Sequence, residues 1–185
     1  MKLREKNLKI LKNNHVYSEE MEHDACGVGV IVSTEGKKSR TIVEYGIEAL
    51  KAVWHRGAVD ADGKTGDGAG IHLEIPKDFF IEKIEVTGHE HDNSEICVGM
   101  IFLPRNDYSA QETCKTIVES ELTKNNFSIY GWRQVPVNPK ILGEKAFQTM
   151  PEIMQVLFKS NDKNLLDKNL ERKIYETRKK IENKA

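Results

Sequence analysis

Net charge is nearly absent from this 185-residue chain: 28 Lys and Arg stand against 29 Asp and Glu. A balanced surface has no field to gather a polyanion, so neither a nucleic acid nor an anionic membrane is expected as partner. Long apolar runs are missing too, and nothing approaches the roughly 20 residues a membrane helix needs. Residues 1–25 have no apolar centre of a secretory signal. They carry Glu5, Glu19, Glu20, Glu22 and Asp24, which argues against an acid-poor transit peptide. Cysteine is scarce as well. Cys26, Cys97 and Cys114 are an odd number at wide spacing, which suits a reducing cytoplasm better than a disulfide framework. They form no cluster-binding set, and no internal repeat is visible.

What is present suits one globular domain, with 38% hydrophobic and 31% charged residues. The leader through Ala25 is polar. From Gly27, "GVGVIVST" is a short β-branched run that predicts a buried strand. Ser39 is placed to cap a helix through "RTIVEYGIEALKAVWHR", where Ile42, Val43, Ile47, Leu50 and Trp54 recur at helical spacing. "IHLEI" alternates like a strand and stops at Pro76, and "EICVGMIFLP" reads as a buried strand. "SAQE" has the form of a capping box, with Ser109 as N-cap of a helix to about Leu122. "FSIYGWRQVPV" reads as a strand interrupted by Gly131, and a mixed segment follows. Asp167 to Asn183 is a charged helix with a thin apolar stripe at Leu170, Ile174 and Ile181. Strands and helices mix as in an α+β or α/β fold, without a clean βαβ rhythm.

Three constellations carry candidate chemistry. Cys26 is the first, and as a lone thiol it reads either as a small buried hydrophobe or as a nucleophile. Gly27 and Gly29 leave room beside its sulfur. A thiol of pKa about 8.5 needs activation near pH 7. Cleavage between Ala25 and Cys26 would provide it, because the freed α-amine has a pKa of about 7.7–8.0 and lies within one residue of the sulfur. The second is "HRGAVDADGKTGDGAG". Its glycines fit neither GxGxxG nor a P-loop, and Asp60, Asp62 and Asp67 would repel a phosphate. The same carboxylates lack the spacing and final glutamate of a calcium loop. A tight, specifically folded loop is the expected local structure, and Arg56 at its start offers donors to a carboxylate or a surface ion pair. The third, His89 and His91 in "GHEHD", has no completing metal ligands nearby and reads as a solvated loop. Cys97, Cys114, Trp54 and Trp132 read as packing residues.

"CGVGV", "HRGAVDADGKTGDGAGIHLEIPKDFF", "VGMIFLP" and "SIYGWRQVPVN" together resemble the N-terminal class II glutamine amidotransferase region of the glutamate synthase large subunit. The resemblance runs on through "LGEKAFQTMPEIMQVLF" and "LERKIYETRKKIE". It implies an α+β fold, the αββα sandwich of N-terminal-nucleophile hydrolases. It assigns residues 1–25 to a propeptide and 26–185 to the N-terminal part of the amidotransferase domain. Cys26 matches the nucleophile that attacks the glutamine carboxamide, releasing ammonia and leaving a glutamyl thioester for water to hydrolyse. Gly27 and Arg56 match supporting positions beside it.

In the full enzyme the resemblance implies FMN, an iron–sulfur cluster, flavin-containing synthase domains that aminate 2-oxoglutarate, and a small electron-transfer subunit. No cofactor is expected in this segment. The sequence contains neither an Arg-Phe-Ser-Thr tetrapeptide nor an Asn-Gly pair, which the family uses to clamp glutamine and to hold the oxyanion. The sandwich is therefore expected to be incomplete here and the 185 residues alone to be nearly inactive as a glutaminase. The competing readings are a non-catalytic or regulatory module of the same fold, and a metal- or nucleotide-binding domain on the Asp-Gly loop.

Overall fold

The computed structural model describes residues 6–7, 9–10, 27–54, 57–162, 164–165 and 167–185. They fall into two compact units, one comprising residues 1–59 and 66–71, the other residues 60–65 and 72–185.

In the first unit, α1 spans Arg40–Ala52, and the Ser39 hydroxyl accepts from the Thr41 N–H at 3.2 Å. That cap satisfies one of the orphan donors at the helix start, as the sequence predicts. Ile42, Val43, Ile47 and Leu50 form the half-buried face. The helix ends before Trp54, which is 75% exposed and so is not the packing residue expected of it. Residues 27–33 also depart from expectation. They run without a ladder, with Val28 90% and Val30 78% exposed. A β-branched run becomes a strand only beside a partner edge, and no such edge is found among the described residues of this unit.

The second unit holds α2 (Lys77–Val86), β1 (Cys97–Leu103), α3 (Tyr108–Lys124), β2 (Phe127–Gln134), α4 (Glu144–Thr149), β3 (Glu152–Ser160) and α5 (Asp167–Glu182). The strands form an antiparallel sheet in the order β1-β3-β2, with Cys97 opposite Phe158 and Phe127 opposite Ser160. Gly131, at φ 150°, marks the bulge in β2. Alternation along β3 sends Val156 and Phe158 to one face and Leu157 to the other. The first face packs with Val118 and Leu122 of α3, Phe127, and Leu170 of α5. Leu157 meets Phe80 and Ile84 of α2, together with Ile96 and Tyr130. An α+β arrangement with helices on both faces of a small sheet is the result.

The cap of α3 differs from the expected one. Asp107, not Ser109, accepts from the Ala110 N–H at 2.9 Å. Ser109 is already inside the helix, and its carbonyl accepts from the Thr113 hydroxyl at 2.9 Å. The Trp132 indole is half-buried on the core and donates to Glu119 at 2.7 Å.

Leu157 is 0% exposed at the centre of the sheet. Leu157→Ala is expected to lower unfolding free energy by about 2–5 kcal/mol, the range for a buried leucine truncated to alanine. Urea denaturation checks it, and a cost below about 0.5 kcal/mol would contradict this packing.

Candidate active site

Of the residues expected at the site, Cys26 and Arg56 lie outside the described residues. Gly27 is described and exposed at the start of the extended run. The glycine- and aspartate-rich loop can be followed in detail. Within the first unit, the Ala58 N–H donates to Asp67 Oδ2 at 2.7 Å, and Val59 and Gly66 form an antiparallel bridge.

Within the second unit, residues 60–65 form a closed tip. The Asp60 N–H donates to the Thr65 carbonyl at 2.7 Å and the Gly63 N–H to the Asp60 carbonyl at 2.9 Å. Gly63 has φ +69°, a backbone state that costs glycine little. Asp62 organises the tip. Its Oδ1 accepts from the Lys64 N–H at 2.9 Å and the Thr65 N–H at 2.7 Å, and its Oδ2 accepts from the Thr65 hydroxyl at 2.6 Å. The Asp62 carboxylate also packs against Gly143, just before α4. Lys145 Nζ donates to Asp60 Oδ2 at 2.5 Å.

The loop carboxylates are thus directed at N–H, O–H and ammonium groups of the chain itself, which accounts for the specific fold expected of this loop. Among the described residues, no group of three or more His, Cys, Asp or Glu is arranged to hold a metal ion. His89 accompanies Thr87 at 3.1 Å, and His91 Nε2 lies 3.0 Å from the Ser94 carbonyl oxygen.

The donors around Asp62 fix its charge. The Thr65 hydroxyl, the Thr65 N–H and the Lys64 N–H hold its carboxyl well below the usual 3.8. Asp92 is held below the same value, chiefly by Lys159 at 2.6 Å and then by Ser94. Both carboxyls regain ordinary values on unfolding, so the folded chain binds fewer protons and stability rises with pH across this window. Their contribution is complete above about pH 5 and is lost as pH falls through 3.8 and below. Urea midpoints are expected to drop as the pH is lowered from about 5 to about 3, and to drop less in Asp62→Asn or Asp92→Asn. Equal drops in wild type and both variants would contradict this assignment.

The Cys97 thiol differs from what a nucleophile needs. Burial, then Glu95 and Glu171, push the Cys97 thiol up to about 12. It is 5% exposed in the core under α3 and α5. Such a thiol is protonated and out of reach at neutral pH. Cys114 is half-buried on α3.

Sequence reasoning missed Gly143 and Lys145, although "LGEKAF" lies within the stretches that carry the family resemblance. Gly143 is buried, and a Cβ there would run into Thr65 Oγ1, Asp62 Oδ2 and the Thr65 nitrogen. Only the folded chain reveals that the two motifs meet.

Comparison with known proteins bears on the same residues. The model of the class-II glutamine amidotransferases matches residues 26–185. The chain is 52% identical over 176 residues to the glutamate synthase [NADPH] large chain of Azospirillum brasilense, covering 95% of this chain and 12% of that protein. It is 40% identical over 162 residues to ferredoxin-dependent glutamate synthase 1 of Arabidopsis thaliana, covering 87% and 10%. Against the ferredoxin-dependent glutamate synthase of Pyropia yezoensis it is 38% identical over 175 residues, covering 94% and 11%. The chain therefore spans only 10–12% of the length of these relatives.

Proposed function

The chain belongs to the class-II glutamine amidotransferases, and from that membership we propose that it releases ammonia from L-glutamine through Cys26, as the amidotransferase part of a glutamate synthase. The observation that carries this reading is that the family match begins on Cys26 itself. Removal of residues 1–25 frees the α-amine of that cysteine. With a pKa of about 7.7–8.0, the amine is partly neutral at physiological pH and accepts the thiol proton. The thiolate attacks the carboxamide carbon of glutamine, and the C=O pair moves onto oxygen. Collapse of that intermediate expels nitrogen, which takes the proton and leaves as ammonia. Water then cleaves the γ-glutamyl thioester, restoring the thiol and releasing glutamate.

The burial of Cys97 supports Cys26 as nucleophile by removing one rival. Arg56 and Gly27 are the positions assigned supporting roles in the reaction. The fold that accompanies this chemistry is the N-terminal-nucleophile αββα sandwich, and an antiparallel sheet backed on one face by α3 and α5 supports it. In the whole enzyme, FMN and an iron–sulfur cluster would carry the reducing equivalents that turn ammonia and 2-oxoglutarate into glutamate. The residues present do not fit the cluster, since of three cysteines one is sealed in the core. No step here is derived through either group.

Mature protein is expected to begin at Cys26. N-terminal sequencing of the active form decides it, and an active form that retains Met1, or is cut elsewhere, would sink the mechanism.

A further inference from the structure

The two edges of the sheet differ in chemistry. β2 has a bulge at Gly131, carries Arg133 and runs on to Pro136 just past its end. Bulges, charges and prolines all blunt an edge against further pairing. β1 has none of them. Its seven residues, "CVGMIFL", are uncharged and free of proline, and among the described residues it pairs with β3 alone. Val98, Met100 and Phe102 share the face that Leu157 occupies on β3. Met100 is 48% and Phe102 64% exposed there. An unpaired backbone row and an exposed apolar row of side chains therefore lie on one strand.

We propose that β1 pairs with β1 of a second copy of this chain, antiparallel and centred on Met100, so that the two sheets join edge to edge. A two-fold axis there places Met100 opposite its own copy, Val98 opposite Phe102 and Gly99 opposite Ile101. Small residues thus face large ones, and no like charges meet along the strand. Gly99 has to stay small, since a Cβ there would run into Val156. Charge then selects the partner and the direction. Just outside the strand, the same register sets the exposed Glu95 opposite the partner's Arg105, once on each side of the axis. In-register parallel pairing would set each of these charges beside its own copy instead. Arg105 is already oriented, because its Nη1 donates to the Phe147 carbonyl at 3.1 Å and its guanidinium lies 4.5 Å from the Phe147 ring. The planar fork has further donors to offer a carboxylate.

The test uses the chain as the cell makes it, and sedimentation velocity is expected to show a dimer. Phe102→Lys puts a charge at an exposed position of the seam. It is expected to raise the dimer dissociation constant at least about 100-fold, the scale of losing an interface anchor from both copies. Glu95→Lys is expected to raise it roughly 10-fold, and Glu95→Lys combined with Arg105→Glu to return it to within about threefold of wild type. Met100→Cys reads the register directly and needs neither charge variant to fold. On mild oxidation the two copies are expected to cross-link through residue 100, since residues directly opposite on antiparallel strands lie about 4.5–5.5 Å apart, within disulfide reach. Peptide mass spectrometry separates this bond from any made by Cys26, Cys97 or Cys114. A chain that stays monomeric would overturn the proposal, whether another segment covers β1 or none does. So would a dimer that folded Phe102→Lys leaves intact, or a dimeric Met100→Cys that forms no cross-link at residue 100.

Discussion

Cys26→Ser is expected to lower glutamine hydrolysis by roughly 10⁴-fold or more, the order of loss when a covalent nucleophile is removed. The α-amine that accepts a thiol proton has no comparable hold on a hydroxyl, whose pKa lies far higher. Without the thioester, the carboxamide has no easier route than direct attack by water. Ammonia supplied from solution bypasses this step, so ammonia-dependent glutamate formation by the whole enzyme is expected to survive. The other two cysteines provide the contrast. Cys97→Ser and Cys114→Ser should keep glutaminase activity in folded protein. Cys97→Ser is also expected to lose about 1–3 kcal/mol of stability, because it places a hydroxyl in an apolar core position that is 5% exposed. Steady-state ammonia release from the three variants checks all of this. A dead but folded Cys114→Ser, or an active Cys26→Ser, would mean that the nucleophile lies elsewhere.

Gly143→Ala is expected to be the most damaging single methyl addition in the second unit. The new Cβ would meet Thr65 Oγ1, Asp62 Oδ2 and the Thr65 nitrogen at distances real Cβ atoms do not tolerate. Two of these atoms belong to side chains, but both are committed to the hydrogen bond between Thr65 and Asp62 at 2.6 Å. The third is backbone and cannot rotate away. Relief requires the Asp60–Thr65 tip to lift from Gly143, so the strain appears as overpacking. A loss of at least about 2 kcal/mol in unfolding free energy is expected, within the range for forced core overpacking. Gly70→Ala is the control, since a Cβ there meets nothing within 4 Å. It is expected to change stability by no more than about 0.5 kcal/mol. Equal stability of the two variants in urea would show that the tip does not sit on Gly143.

Local chemistry made part of this fold legible. Ser39 caps α1 because a hydroxyl before an apolar-periodic run is an N-terminal signal. The stripe at Leu170, Ile174 and Ile181 predicts α5, and those residues do pack on the core. Other elements were hidden for physical reasons. β3 is buried on both faces, so "EIMQVLF" has no alternation to read, and a short continuous apolar run looks the same in a strand and a buried helix. α2 presents Phe79, Phe80, Ile81, Ile84 and Val86 around more than one face, which blurs the helical period. Residues 27–33 have the composition of a strand, but composition supplies only one edge of a ladder. The site divides in the same way. Cys26 stands out because a polar leader gives way there to small residues and then to an apolar run. The seating of Asp62 against Gly143 joins residues far apart in the chain, and neither partner carries a local sign of the other.

The central claim is that Cys26, as the first residue of the mature chain, carries the glutamyl group during turnover. Acid quenching during steady-state turnover with glutamine, followed by proteolysis and peptide mass spectrometry, tests it directly. The account predicts a γ-glutamyl thioester on a peptide that begins at Cys26, lost after alkaline treatment and absent from Cys26→Ser. A glutamyl adduct on the peptide containing Cys97 or Cys114, or on a Cys26 still preceded by Ala25 in active protein, would contradict it.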